Sequence, residues 1–236
     1  AHKTGKIFNF ELMKSIQILL FGYLTLLGVG ISAQSKTAFE GKLLYHISYP
    51  DTSENSTVSG YAFPKELTVF SKGPQLKVET VSLYVHSTDF TNFNLRKTLS
   101  YLELPAKKVS IESNLDSLIY LAYQRTPNHL EKTTITRIIQ GHTCLKLIAH
   151  FDNKAIQDAA IYYTPDFTFL PTIYTLAFNS VPGLIMEISE NYQGVNMQIK
   201  IKNLEQSQLQ PSVFIQPSGF KLTPVTQLFN TLAKPY

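Results

Sequence analysis

The sequence contains one cysteine, Cys144, and no tryptophan, and only 16% of its 236 residues are Asp, Glu, Lys or Arg. A single cysteine excludes an internal disulfide framework, so the fold has to be held by its core. The thiol is expected to be buried and free. Sparse charge beside 44% hydrophobic residues is the reverse of a disordered composition. No basic run is longer than Lys107-Lys108. A nucleic-acid footprint needs clustered positive charge, so that class of partner is excluded. The chain also lacks a phosphate-cradling glycine loop and a Gly-x-Ser-x-Gly nucleophile elbow. What it has in quantity is Tyr and Phe, 13 and 15, together with Thr, Ile and Val. That mixture favours β-structure.

One long apolar run is present. Met13-Lys14-Ser15 supplies a positive start, Ile16 to Gly30 is apolar apart from Gln17 and Thr25, and Ile31-Ser32-Ala33 ends on a small residue before Gln34. This is the order of a secretory signal peptide spanning residues 13–33. Residues 1–12 then read as upstream sequence or a mis-called start. The run is just long enough to span a membrane, but Gly28, Gly30 and the Ser-Ala-Gln ending favour cleavage. Cleavage after Ala33 leaves 203 residues with 18 basic and 16 acidic side chains. No cysteine follows the run to accept a lipid. The expected product is periplasmic or secreted, without a stable membrane span.

The remainder reads as one domain over residues 34–223, followed by a weakly helical tail at 224–236. Phe39 to Tyr49 alternates, with Phe39, Gly41, Leu43, Tyr45, Ile47 and Tyr49 on one side, the pattern of a half-buried strand. Leu67–Phe70 and Leu76–Val81 flank Ser-Lys-Gly-Pro, and Thr98–Leu104 and Lys108–Glu112 flank Pro105-Ala106-Lys107; both are hairpin signals. Ser82 to Phe93 leans towards β. Asn114 is placed to cap a short helix from Leu115 to about Gln124, with Asp116 in its first turn. Strands are then expected at 133–139, 143–151, 158–164, 184–189 and 195–204, and a helical turn at 211–215. Pro165 to Asn179 is apolar but broken by Pro171, the composition of a wrapping loop. The fold class is therefore mainly β (α+β): a strongly curved antiparallel sheet forming an unclosed barrel, with one or two short helices as cover, since so many short strands need closed or covered edges.

An ordered set of motifs lies in the second half. It runs from Gly141-His-Thr-Cys144-Leu-Lys through Ile161-Tyr-Tyr-Thr-Pro165-Asp and Val181-Pro-Gly-Leu-Ile-Met-Glu187-Ile. It continues with Met197-Gln-Ile-Lys-Ile201 and Phe214-Ile-Gln-Pro217-Ser-Gly219-Phe220. This resembles the GLPGLI-type family of uncharacterised exported bacterial proteins and, more distantly, the LolA/LolB superfamily of periplasmic lipoprotein carriers. The likeness spans roughly residues 37–223, and its specific part is 141–222. It implies a curved sheet with helices as a lid over an apolar cavity. By residue chemistry alone, Pro182-Gly183 is a sharp turn into a strand with glycine free to take φ > 0.

Little in the chain points to catalysis. His142, Cys144 and His150 share one face of a strand, but zinc takes about four ligands in paired spacings and no second pair exists. A cysteine on an amphipathic strand belongs in a core far more often than in a thiol hydrolase. Asp152, Asp158, Glu187 and Glu190 are spaced like solvated strand ends. No enzyme activity, cofactor or metal is expected. The positive expectation is an apolar cavity: Tyr162, Phe167, Phe169, Leu170, Tyr174, Leu176 and Phe178 either line a groove for a lipid, acyl chain or lipidated partner, or simply fill the barrel of a structural or interaction module of the cell envelope.

Overall fold

A computed structural model of the chain describes residues 36–50, 63–83, 85–105, 107–123, 125–154, 156–192 and 195–224. The signal peptide expected at 13–33, residues 1–12, the turn expected at Gln193-Gly194 and the tail after residue 224 lie outside the described residues. The alternating segments form β1 (Thr37–Ala38), β2 (Gly41–Ser48), β3 (Glu66–Lys72), β4 (Gln75–Val81), β5 (His86–Asn92), β6 (Lys97–Leu104) and β7 (Lys107–Asn114). A helix, α1 (Leu115–Tyr123), follows. The second half adds β8 (His129–Ile139), β9 (His142–His150), β10 (Ala159–Thr164), β11 (Phe167–Thr168), β12 (Leu184–Tyr192), β13 (Val195–Gln206) and β14 (Lys221–Leu222).

Twelve of these strands make one sheet in the order β14-β7-β6-β5-β4-β3-β2-β13-β12-β10-β9-β8. The sheet is curved and does not close on itself. Every pairing in it is antiparallel except the short parallel contact of β14 with β7. β1 and β11 pair separately, in parallel. The alternation read in β2 is kept: Gly41, Leu43, Tyr45 and Ile47 are buried and their neighbours are not. Gln140 and Gly141 join β8 to β9 with φ of 50° and 80°, the left-handed pair that a two-residue hairpin turn demands.

α1 is the connection from β7, beside one edge, to β8, at the other. Asn114 caps it by accepting the Asp116 N–H at 2.7 Å, and Arg96 pairs with Asp116. Leu115, Leu118, Ile119 and Ala122 follow the i, i+3, i+4, i+7 spacing of one helix face. Leu115 is buried and the other three are half-buried, while Tyr120, Leu121 and Tyr123 are exposed. The helix lies against the short 3-10 turn Leu176–Phe178. A strap from residue 207 onward fastens the other face: Leu209 N–H donates to Glu40 Oε1 at 3.0 Å, and the Phe220 ring packs edge-on to Tyr101 at 5.0 Å. No helix among the described residues is long and apolar enough to cross a membrane.

Candidate functional site: two faces of one sheet

Register divides the concave face into two halves. On β2, β3, β9, β10, β12 and β13 it is apolar, with Leu43, Val69, Leu147, Ile161, Leu184 and Ile188 at 0–2% exposure. On β4 to β6 it turns polar. Thr80 stands opposite Ser87, Leu76 opposite Thr91 and Val78 opposite Asp89, and Asp89 stands opposite Ser100. Hydroxyls pair across the strands, Thr80 with Ser87 at 2.6 Å and Thr91 with Thr98 at 3.0 Å. Ser100 donates to Asp89. Asp89 is only 4% exposed. Burial raises its carboxyl pKa to about 6, against the lowering effect of the Ser100 hydrogen bond.

The apolar segment between β10 and β12 lies on the concave face. Phe178 is buried, and Phe169 and Tyr174 are packed against the core. The Tyr174 hydroxyl reaches Thr80 and Ser87 in the polar half; burial first, then the nearby Asp89 charge, raises its pKa to about 12. Between this segment and Tyr45, Leu67, Ile185, Ile188 and Ile199 a cavity of about 30 Å³ remains. That is room for about one water molecule. Small-molecule pockets run to about 300–1,000 Å³.

The seven aromatic and aliphatic residues singled out in the sequence therefore separate. Phe169, Tyr174 and Phe178 line the cavity. Phe167 packs edge-on against Phe39, at 5.4 Å, and His142, at 5.1 Å. Leu176 is buried in the 3-10 turn and Leu170 packs on the core. Tyr162 lies elsewhere: the Arg137 guanidinium sits 4.1 Å over its ring and donates to its hydroxyl at 3.2 Å. A register shift between Tyr162 and Tyr163 in the pairing with β12 accompanies this placement.

Glu187, opposite Tyr162, corrects a sequence expectation. It is 5% exposed rather than solvated, and it accepts from Arg137 at 2.9 Å and Gln198 at 3.2 Å. Lys200 stands 3.8 Å away. Glu190 is likewise enclosed, 7% exposed at its side chain, and pairs with Arg125 at 2.9 Å. Burial of the two carboxylates is invisible in their spacing because the cations come from distant parts of the chain, Arg137 from β8 and Arg125 from the turn after α1. Gly183 also differs from expectation. Its φ is not positive; instead a Cβ there would stand 2.2 Å from the Thr164 carbonyl oxygen. Close approach of backbone to backbone is what requires glycine.

The His/Cys set does not converge. His142 Nδ1 contacts Asp166 at 2.7 Å, while His150 lies between Asp158 at 2.6 Å and Glu131 at 3.0 Å. Eight residues of strand hold the two imidazoles about 27 Å apart along β9. Cys144 is fully buried, and burial pushes its thiol up to about 11. Among the described residues no group of three or more His, Cys, Asp or Glu is arranged to hold a metal ion.

No protein-family model matches the chain, and no curated protein matches it. Among solved structures it is similar to PNGF-II, with a TM-score of 0.50 at 11% identity over 82% of this chain. The chain spans 33% of the PNGF-II chain, so the likeness is to one part of a longer protein and concerns fold alone. LprF from Mycobacterium bovis aligns with a TM-score of 0.37 at 10% identity, over 80% of this chain and 94% of that one.

Proposed function

We propose that this is a non-enzymatic, exported binding module of the bacterial cell envelope whose curved sheet is filled by its own chain. The observation that carries this reading is the volume under segment 169–183. With about 30 Å³ free, the segment occupies the place a lipid would take. Burial raises the Cys144 thiol pKa, whereas a nucleophilic cysteine needs a lowered one, so this residue offers no thiol-based active site. Export rests on the signal-like residues 13–33. The GLPGLI-type resemblance accords with an envelope setting. Native mass spectrometry of the purified protein tests the reading: the filled sheet predicts the bare chain mass across phospholipid, lysolipid and fatty-acid additions, and a stoichiometric adduct refutes it.

A second reading is favoured by the chemistry of the cavity wall. Tyr45, Leu67, Ile185, Ile188 and Ile199 face Phe169, Tyr174 and Phe178, and this is a surface an acyl chain would wet if the segment lifted. In that case the ligand is a lipid or lipidated partner and the segment is its exchangeable occupant. Saturating lysolipid would then raise hydrogen exchange in residues 169–178 while protecting β3 and β13.

A further inference from the structure

A second pocket lies outside the apolar core. It is an open pocket of about 380 Å³ where the ends of β10, β12 and β13 meet. Ser189 stands opposite Gln198, and Asn191 opposite Asn196. Residues two apart on a strand share a face, so these four make a square of uncharged hydrogen-bonding side chains. Gln157 and Asp158, just before β10, add a further amide and a carboxylate.

The square is held both from within and from outside. Asn191 Nδ2 donates to Asn196 Oδ1 at 2.8 Å. Gln198 Nε2 is held by Glu187 at 3.2 Å, which Arg137 fixes at 2.9 Å. Asp158 is oriented by His150, whose other ring nitrogen rests on Glu131. Polar groups locked by neighbours in this way lose less freedom when a ligand arrives.

The donor set defines the ligand. No Lys or Arg lines the pocket, so an anion meets no counter-charge. Its two carboxylates, Asp158 and Glu190, already face His150 and Arg125, so a cation gains little. Amides and a hydroxyl offer donors and acceptors side by side, the complement of vicinal hydroxyl groups. Pro50 and Ala160 give small apolar surfaces suited to the C–H faces of a sugar ring. The volume falls within the range of small-molecule sites. We propose that this pocket binds a neutral glycan segment. The proposal rests on the binding-module reading and gives it a ligand class.

The test uses the protein as processed by its host, titrated at millimolar concentration with neutral hexasaccharides of N-acetylglucosamine, glucose and mannose. A sulfated oligosaccharide and spermidine serve as charged comparators. One neutral series should give saturable amide shifts concentrated at residues 157–160, 189–191 and 196–198. Asn196→Ala and Gln198→Ala should each weaken binding about tenfold, the scale of one or two lost hydrogen bonds. Tyr174→Phe on the concave face should leave it unchanged. No saturable shift with any neutral probe, shifts mapping elsewhere, or tighter binding of a charged comparator overturns the proposal. Mapping on the unmodified protein keeps the test valid if a variant fails to fold. A lipid adduct would instead defeat the filled-sheet reading and leave the glycan site standing.

Discussion

Replacing Asp89 by Asn should stabilise the protein at neutral pH. Asp89 is buried beneath the concave surface, and burial raises its pKa from 3.8 to about 6. A carboxyl that is harder to ionise folded than unfolded makes the native state bind the proton more tightly. Its ionisation therefore costs stability as pH rises from about 4 to about 6, and the full cost, about 3 kcal/mol, applies above that window. Asn keeps a carbonyl oxygen for the Ser100 hydroxyl and removes the charge. The variant should be more stable than the parent by about 1–3 kcal/mol at pH 8, the lower figure allowing for imperfect repacking of the amide. The advantage should shrink to a few tenths of a kcal/mol near pH 3.5 and vanish by about pH 2.5, below both the folded and the unfolded pKa. Urea unfolding followed by tyrosine fluorescence, the intrinsic signal of a chain with 13 Tyr and no Trp, measures both. An Asp89→Asn protein that is less stable at pH 8, or whose difference from the parent is the same at both pH values, refutes the argument. Confirmation would mark Asp89 as a residue retained at a cost to stability.

Gly183→Ala should destabilise by about 1–3 kcal/mol or more, because the new methyl meets a backbone oxygen that has no rotamer to change; thermal unfolding reads this directly. Arg137→Ala should cost about 1–2 kcal/mol in denaturant unfolding. That is less than the several kcal/mol of a fully buried pair, since Arg137 is half-exposed and Lys200 and Gln198 still face Glu187. Native Cys144 should react with a disulfide reagent at pH 8 at least about a hundredfold more slowly than in urea, as its pKa near 11 leaves about a hundredth of the ordinary thiolate fraction even before access is counted.

Alternation and punctuation made most strands legible. β2, the β3–β4 and β6–β7 hairpins, the Asn114 cap and the 3-10 turn at Pro211–Phe214 follow the residue patterns that announce them. The residue pattern predicts β8 from Thr133, but the strand begins at His129, because its pairing with β9 shifts between Lys132 and Thr136 and breaks the period of two. β5 was faint for a different reason. His-Ser-Thr-Asp-Phe-Thr-Asn carries polar residues on both faces, so burial of Ser87, Asp89 and Thr91 leaves no apolar stripe to see. The polar half of the concave face was thus hidden by the same residues that make it unusual. Glu187 looks solvated in the sequence because only folding brings Arg137, fifty residues away, over it.

The candidate site shows where such reading stops. An aromatic-rich run such as 167–178 has one composition whether it lines a cavity or fills one, and only the distance to the opposite wall decides. Here that distance is closed, and usable volume shifts to the turn end of β12 and β13, where the side chains are amides. An amide pair such as Asn191 and Asn196 carries no hydrophobic period and no charge, so sequence patterning passes over it as hairpin surface. Its significance comes from register, which sets two amides opposite each other, and from Glu187 and His150, which orient neighbouring groups. The sheet's apolar face then explains why the protein folds, and the amides at the end of β12 and β13 are held in place by register and by their charged neighbours.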